Sequence, residues 1–275
     1  MNKSKILYIS DLDGTLLNNK AELTDFSRNE LNKLIDGGLN FTVATARTSF
    51  STEVVLKGLN LNIPVILMNG VILYDFAKKE YLKVNYMEPY VVNSVISAVK
   101  ESKINCFVYE IKDGVFSTYY ENLEKKQHFD FYNERVMRFG KLFIKTDSFY
   151  SLSNSNKIYF AFLDTYEILK SIEDKIKKIP EINYVFYKDT YSKDFWYLEI
   201  FHKNASKKNA ANYLKQKYGF DRLIGFGDNI NDMPLFEACD ESYAVENARA
   251  ELKNIATGII KSNEENGVVE FLLNL

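Results

Sequence analysis

The sequence predicts an α/β fold: a Rossmann-like, three-layer core on a parallel sheet, interrupted by an inserted α+β domain. Three observations predict it. Short apolar runs alternate with helical periodicity through the first part of the chain. Between residues 82 and 202 the pattern becomes a Tyr- and Phe-rich mixture of strands and helices. It then reverts, so that 1–81 and 203–275 read as one discontinuous domain and 82–202 as its insert. Apolar strands alternating with helices call for parallel strands joined by right-handed crossovers and covered on both faces.

Residues 5–10 read as a buried strand that runs into Asp11-Leu12-Asp13-Gly14-Thr15. A helix over 22–37 comes next, with Thr24 as N-cap, Gly37-Gly38 as the stop, and Phe26, Leu31, Leu34 and Ile35 near helical spacing. A second strand, 40–44, ends in Thr45-Ala46-Arg47; a second helix covers 51–59; a third strand, 64–68, ends at Asn69-Gly70. In the insert, 88–100 is helical, 105–119 is a hairpin turning at Asp113-Gly114, 121–139 and 166–178 are helices, and 157–163, 184–187 and 196–200 are strands. The parallel pattern resumes with a helix over 207–218 stopped by Gly219, a strand within 221–226 ending in Gly227-Asp228, and short strands at 242–245 and 258–260. Aromatic residues of the insert read as sheet core. Glu199 and His202 read as residues of the last insert strand and its exit.

Composition narrows the chemistry. At 275 residues with 46% apolar residues, including 20 Phe and 19 Tyr, the chain can bury a large core. A formal net charge of −2 offers no basic field for nucleic acid. The apolar runs are too short to span a membrane, and the first residues lack a signal-peptide pattern, so a cytoplasmic protein without membrane partners is expected. Cys106 and Cys239 are far apart, as suits a reducing compartment. With only two histidines, chemistry must run on carboxylates, Lys, Thr and Asn.

In an extended chain, Asp11 and Asp13 face one side. Two like charges so close call for a cation or a proton between them. Taken alone, the stretch also fits a strand ending in a solvated Asp-Gly turn. The wider pattern decides. Asp11 and Asp13 follow the first strand, Thr45 the second, and Asp228, Asn231 and Asp232 a later one, while Lys207 opens a helix beside the same edge. The carboxyl edge of an open α/β sheet is where ligands bind. Several carboxylates with room for water suit Mg2+, and Thr, Lys, Asn and backbone N–H groups suit a phosphate dianion. A carboxylate can also attack phosphorus.

With these residues in place, the sequence resembles the haloacid dehalogenase superfamily of phosphatases, and within it the Cof-type hydrolases with a large α/β cap. The resemblance rests on DLDGTLL at 11–17, ATAR at 44–47, NG at 69–70, SKKNA at 206–210, GDNIND at 227–232 and SNEENGV at 262–268, and spans the whole chain in order. Two departures each replace a glycine: Ala46 in the usual Thr-Gly-Arg and Lys208 in the usual Ser-Lys-Gly. Both restrict the backbone locally, and neither removes a chemical group.

The resemblance implies a Mg2+-dependent phosphomonoester hydrolase working through an aspartyl-phosphate. Asp11 would be the nucleophile. Asp13 would protonate the leaving alcohol and then activate water. Asp11, Asp13 through its backbone carbonyl, Asp228 and Asp232 would form the metal site, with Asp232 direct or one sphere removed. Thr45, Ala46, Lys207 and Asn231 would hold phosphate oxygens, and Arg47 and Asn69 would either join them or fasten loops. The insert would be a cap that closes over the site on hinges near 81–83 and 201–205 and reads the substrate, a small phosphorylated metabolite: a sugar phosphate first, flavin mononucleotide or pyridoxal phosphate as alternatives. Two other readings remain at this point, a phosphomutase of the same superfamily and a phosphoacceptor signalling protein. Asp13 and the insert argue against the last.

Overall fold

In the computed structural model, residues 5–188 and 194–275 are described. They form two compact units: the chain through Lys83 together with Ser206–Leu275, and Val84–Ala205. The sequence-based boundaries at 81/82 and 202/203 lie two to three residues before those of the structure, Lys83/Val84 and Ala205/Ser206.

The first unit begins with β1 (Ile6–Ser10), whose Leu7 and Ile9 are fully buried. Helix α1 (Asp25–Asp36) starts where the Thr24 side chain accepts the Ser27 N–H, and stops at Gly37, whose N–H reaches back to Lys33 and Ile35 carbonyls. Its buried stripe is Ser27, Leu31 and Ile35, spaced i, i+4, i+8. Phe26, expected on this face, is 41% exposed. Ser27 takes the inward position because its hydroxyl bonds Asn266 Oδ1 at 3.0 Å. β2 (Asn40–Val43) leads to α2 (Ser49–Val55) and β3 (Val65–Leu67).

Two strands beyond β3 are absent from the sequence pattern. Asn69-Gly70 opens onto β4 (Ile72–Asp75) and β5 (Glu80–Val84), which with β3 make a small separate sheet in order β3-β4-β5. β3 runs antiparallel to β4 and touches the end of β2 only through one parallel bridge, Ala44 to Ile66. The expected third parallel strand is therefore a short hinge between two sheets.

The second unit contains α3 (Pro89–Ser102), β6 (Phe107–Lys112), β7 (Val115–Tyr120), α4 (Lys126–Met137), β8 (Phe143–Lys145), β9 (Lys157–Asp164), α5 (Tyr166–Ile176), β10 (Ile182–Lys188) and β11 (Trp196–His202). They form a six-stranded sheet in order β10-β11-β9-β6-β7-β8, antiparallel except for the unforeseen β8, which pairs in parallel with β7. Alternation along the strands sends Val108, Phe160, Phe162, Leu198 and Ile200 into one core with Val92, Val95 and Ile96 of α3 and Leu169, Ile172 and Ile176 of α5. Each such apolar side chain contributes roughly 1.5–3 kcal/mol on burial. α4 lies on the opposite face, where Phe131 stacks on Phe107 with ring centroids 4.5 Å apart.

The chain then returns to the first unit with α6 (Lys207–Tyr218), β12 (Arg222–Gly227), α7 (Met233–Phe236), β13 (Glu241–Val245), α8 (Ala250–Lys253), β14 (Gly258–Ile260) and α9 (Gly267–Leu273). The main sheet is wholly parallel, in order β14-β13-β12-β1-β2. Strand order reverses at β1, between β2 and β12. That puts the carboxyl ends of β1 and β12 side by side, with Ser10 opposite Phe226.

Candidate active site

At the end of β1 the Asp11 N–H donates to Phe226 O at 3.0 Å, which ties the first acidic residue to the neighbouring strand. The chain then turns sharply. Leu12 is fully buried, and its carbonyl accepts from the N–H groups of Thr15, Leu16 and Leu17. Gly14 sits at φ +80° with its Cα against the next strand's carboxylate; a Cβ there would stand 2.5 Å from Asp228 Oδ2. Only glycine meets both demands. Thr15 completes the turn by donating its hydroxyl to Asp228 Oδ1 at 3.0 Å.

After β12, Asp228 and Asn229 both donate their backbone N–H to Asp232 Oδ2, at 3.0 and 3.1 Å. Asp232 is thereby fixed, fully buried, with Oδ1 left for Lys207. Lys207 opens α6 behind the Ser206 cap, which accepts from Asn209 N. Its ammonium lies 2.6 Å from both Asp11 Oδ1 and Asp232 Oδ1, with the side chain 1% exposed. Asp11, Asp228 and Asp232 each present an oxygen within 4.8 Å of the others.

Three carboxylates around one ammonium leave an excess of negative charge, and the proton affinities reflect it. Burial, then Asp232, push Asp11 well above the usual carboxylate range, with Lys207 working against them. Burial, then Asp232, raise Asp228 to about 7. Burial disfavours the Lys207 ammonium, but Asp11 and Asp232 outweigh it and hold lysine charged beyond its usual range. Hard oxygen ligands with surplus charge fit a small divalent cation such as Mg2+.

The Asp13 carboxylate lies outside this cluster. It is half exposed and held in a fork by Arg47, with Nε to Oδ2 at 2.7 Å and Nη2 to Oδ1 at 2.6 Å. Thr45 is buried after β2; its N–H bonds Ile66 O at 2.9 Å, and its hydroxyl oxygen accepts the Arg47 N–H at 3.1 Å. Ala46 is half-buried in the same loop, and Asn231 is half-buried in the 3-10 turn Ile230–Asp232. The structure thus groups Asp11, Asp228, Asp232 and Lys207 by direct contact or proximity, and places Asp13 and Thr45 on loops at the same sheet edge. Glu199 and His202 lie in the other unit: Glu199 accepts the Tyr159 hydroxyl at 2.7 Å, and His202 Nε2 lies 3.3 Å from Glu88 Oε1.

Three supporting residues go unmarked by sequence reasoning. Thr15 orients Asp228, Asn247 Nδ2 donates to Gly14 O at 2.7 Å, and Asn263 Nδ2 donates to Leu17 O at 2.9 Å. Thr15 lies inside the DLDGTLL stretch and Asn263 inside SNEENGV, so the motif edges carry a signal for both. Asn247 has none.

The sequence profile of the haloacid dehalogenase-like hydrolases matches residues 8–272. The chain is 26% identical over 287 residues to the 5-amino-6-(5-phospho-D-ribitylamino)uracil phosphatase YwtE of Bacillus subtilis, covering 95% of each chain. It is 23% identical over 287 residues to phosphatase YwpJ of the same organism, covering 96% of this chain and 98% of that one. Among solved structures, a haloacid dehalogenase-like hydrolase from Bacteroides thetaiotaomicron superposes with a TM-score of 0.80 at 20% identity, over 98% of this chain and 99% of that one. The subclass IIB sugar phosphatase BT4131 does so with a TM-score of 0.74 at 18% identity, over 98% of both chains. The chain belongs to the haloacid dehalogenase-like hydrolases, among their Cof-type phosphatases.

Proposed function

We propose that the protein is a Mg2+-dependent phosphomonoester hydrolase that acts on a small phosphorylated metabolite through an aspartyl-phosphate. The observation that carries this reading is the buried Lys207 ammonium set 2.6 Å from Asp11 and from Asp232, in a cluster completed by Asp228.

Asp11 is the nucleophile. Its carboxylate oxygen forms a bond to phosphorus as the bond from phosphorus to the ester oxygen breaks, and Asp13 gives its proton to the departing oxygen. Asp13, now a carboxylate, takes a proton from water. The water oxygen attacks phosphorus, the bond to Asp11 breaks, and inorganic phosphate leaves. Arg47 must release Asp13 before either proton transfer, because both Asp13 oxygens are engaged by the guanidinium. Thr45, the Ala46 backbone, Lys207 and Asn231 hold phosphoryl oxygens, and Lys207 offsets charge on the transferring group. Asp11, Asp228 and the Asp13 carbonyl would hold Mg2+, with Asp232, whose two oxygens already accept from Lys207 and from the Asp228 and Asn229 N–H groups, direct or one sphere removed; the ion's contribution when bound is Lewis-acid polarisation of the phosphoryl oxygen.

The 84–205 unit is the proposed specificity module. A sugar or polyol phosphate is the preferred substrate class, supported by the activities for which YwtE and BT4131 are named. Two cysteines without a disulfide, and no helix among the described residues long and apolar enough to cross a membrane, accord with a cytoplasmic setting.

Replacing Asp11 with Asn tests the mechanism. The variant should keep its fold and release no phosphate from p-nitrophenyl phosphate; retained turnover overturns it. Product analysis with a hexose monophosphate separates hydrolysis from a mutase, since only hydrolysis yields inorganic phosphate.

A further inference from the structure

Asn69 lies just after β3, in a turn where three consecutive residues adopt left-handed backbone: Met68 at φ 50°, Asn69 at 55° and Gly70 at 95°. The turn is wedged between two segments of the site. Asn69 N–H donates to Thr45 O at 3.0 Å and Met68 N–H to Arg47 O at 3.1 Å. On the other side Gly70 packs on the carbonyl of Ser206, the residue before Lys207, so closely that no Cβ would fit. The Asn69 side chain is buried, the residue being 5% exposed, yet neither Oδ1 nor Nδ2 has a hydrogen-bond partner. Among the described residues it alone leaves both ends of a buried carboxamide unbonded. The amides of Asn247 and Asn263, by contrast, are each spent on a backbone carbonyl. A buried amide without partners is disfavoured unless something else supplies them.

We propose that Asn69 is a specificity-determining residue that recognises a hydroxyl of a polyol or sugar phosphate. This rests on the phosphatase reading and narrows its substrate. The chemistry selects the class. A phosphate dianion offers acceptors only and would satisfy Nδ2 while leaving Oδ1 bare. A hydroxyl both donates and accepts, so one or two hydroxyls near the ester oxygen satisfy the whole carboxamide. A site that hydrogen-bonds a substrate hydroxyl discriminates strongly against analogues lacking it.

The test compares a polyol phosphate, ribitol 5-phosphate, with p-nitrophenyl phosphate, which has no hydroxyl. Asn69→Asp keeps the shape and the left-handed tolerance but loses both donors; Asn69→Gly keeps the backbone and removes the group. Thermal unfolding confirms that at least one of the two is folded, and that one carries the test. The ratio of kcat/KM for the polyol phosphate to that for the nitrophenyl ester should fall at least tenfold. An unchanged ratio, whether both rates fall together or neither falls, overturns the proposal, as does a wild-type preference for the nitrophenyl ester. Absence of wild-type turnover on both esters would instead overturn the phosphatase reading itself.

Discussion

Lys207→Met removes the ammonium that bonds two carboxylates of the cluster while nearly conserving volume. In the native protein this side chain is 1% exposed and bonds Asp11 and Asp232 at 2.6 Å each. Deleting one partner of a buried ion pair costs about 3–5 kcal/mol, because the charge left behind is uncompensated. Here two carboxylates lose their partner, but burial and Asp232 raise the proton affinity of Asp11, and uptake of a proton there limits the loss. The lower end, about 3 kcal/mol, is therefore expected. At roughly 2–4 °C per kcal/mol for a chain of this size, the unfolding midpoint should fall by about 10 °C. Turnover should fall further, since removing one preorganised donor from developing charge costs about 10²–10³ in kcat. Mg2+ supplies a second readout. Without the ammonium only a proton or another cation can offset the cluster's carboxylates, so added Mg2+ should raise the variant's midpoint more than the wild type's. The assays are thermal unfolding by circular dichroism with and without Mg2+, and phosphate release from p-nitrophenyl phosphate. A variant that melts within about 2 °C of wild type and turns over within about threefold would refute the assignment of Lys207 as the cluster's countercharge.

Gly70→Ala should destabilise the first unit by about 3 kcal/mol, from left-handed strain plus the clash with Ser206 O, read as a shifted denaturant midpoint. Glu199 gives a pH dependence. Burial, opposed by hydrogen bonds from Tyr159 and Tyr187, raises it from its usual 4.5 to about 7. Its stabilising contribution is therefore complete below pH 4.5 and is lost as pH rises through about 7, a change of about 3 kcal/mol. Glu199→Gln should flatten unfolding free energy between about pH 5 and 8 by that amount. Chelation of Mg2+ with EDTA should abolish turnover and lower the melting temperature of the wild type; a metal-independent rate would remove the ion from the mechanism.

What could be read from the sequence was whatever local chemistry controls. The limits of α6, Lys207–Tyr218, were legible to the residue because Ser206 caps one end and Gly219 adopts φ +65° at the other. The hairpin of β6 and β7 was legible because Asp113-Gly114 is a turn in its own right. The β4–β5 pair was not, because its strands are short and its partner is a strand expected to lie in another sheet. β8, with three residues, escaped for the same reason. Phe26 misled because hydrophobicity alone places it inward, while the inward position belongs to a serine bonded to Asn266, 239 residues away. The candidate site shows the same division. Asp11 and Asp228 meet because their strands are neighbours, which the placement of acids at strand ends anticipates. The Arg47–Asp13 fork and the bare Asn69 amide depend on side-chain geometry across loops, for which spacing carries no information.

Asp11 and Asp13 are alike in sequence, two acids flanking one leucine. In the structure they differ in burial and in the partner that holds them. Asp11 is 5% exposed and shares its ammonium with Asp232 in a crowded anionic cluster. Asp13 is half exposed and held by the Arg47 guanidinium. One turn produces the difference: Leu12 anchors in the core, its carbonyl gathers three N–H groups, and Gly14 swings the chain past Asp228. The division suits the two tasks proposed for these residues, nucleophile and proton carrier. A nucleophile must be fixed on its target line, which Lys207 and the strand end do for Asp11. A group that gives and then takes a proton must move between partners, and Asp13 is held by a contact that can open. Arg47→Ala tests this directly. If the fork restrains Asp13 before substrate binds, the variant should keep or gain rate in the proton-transfer step at saturating substrate while KM rises. If Arg47 instead positions Asp13 for the transfer, kcat should fall by about 10²-fold or more with the fold intact, and the restraint argument fails.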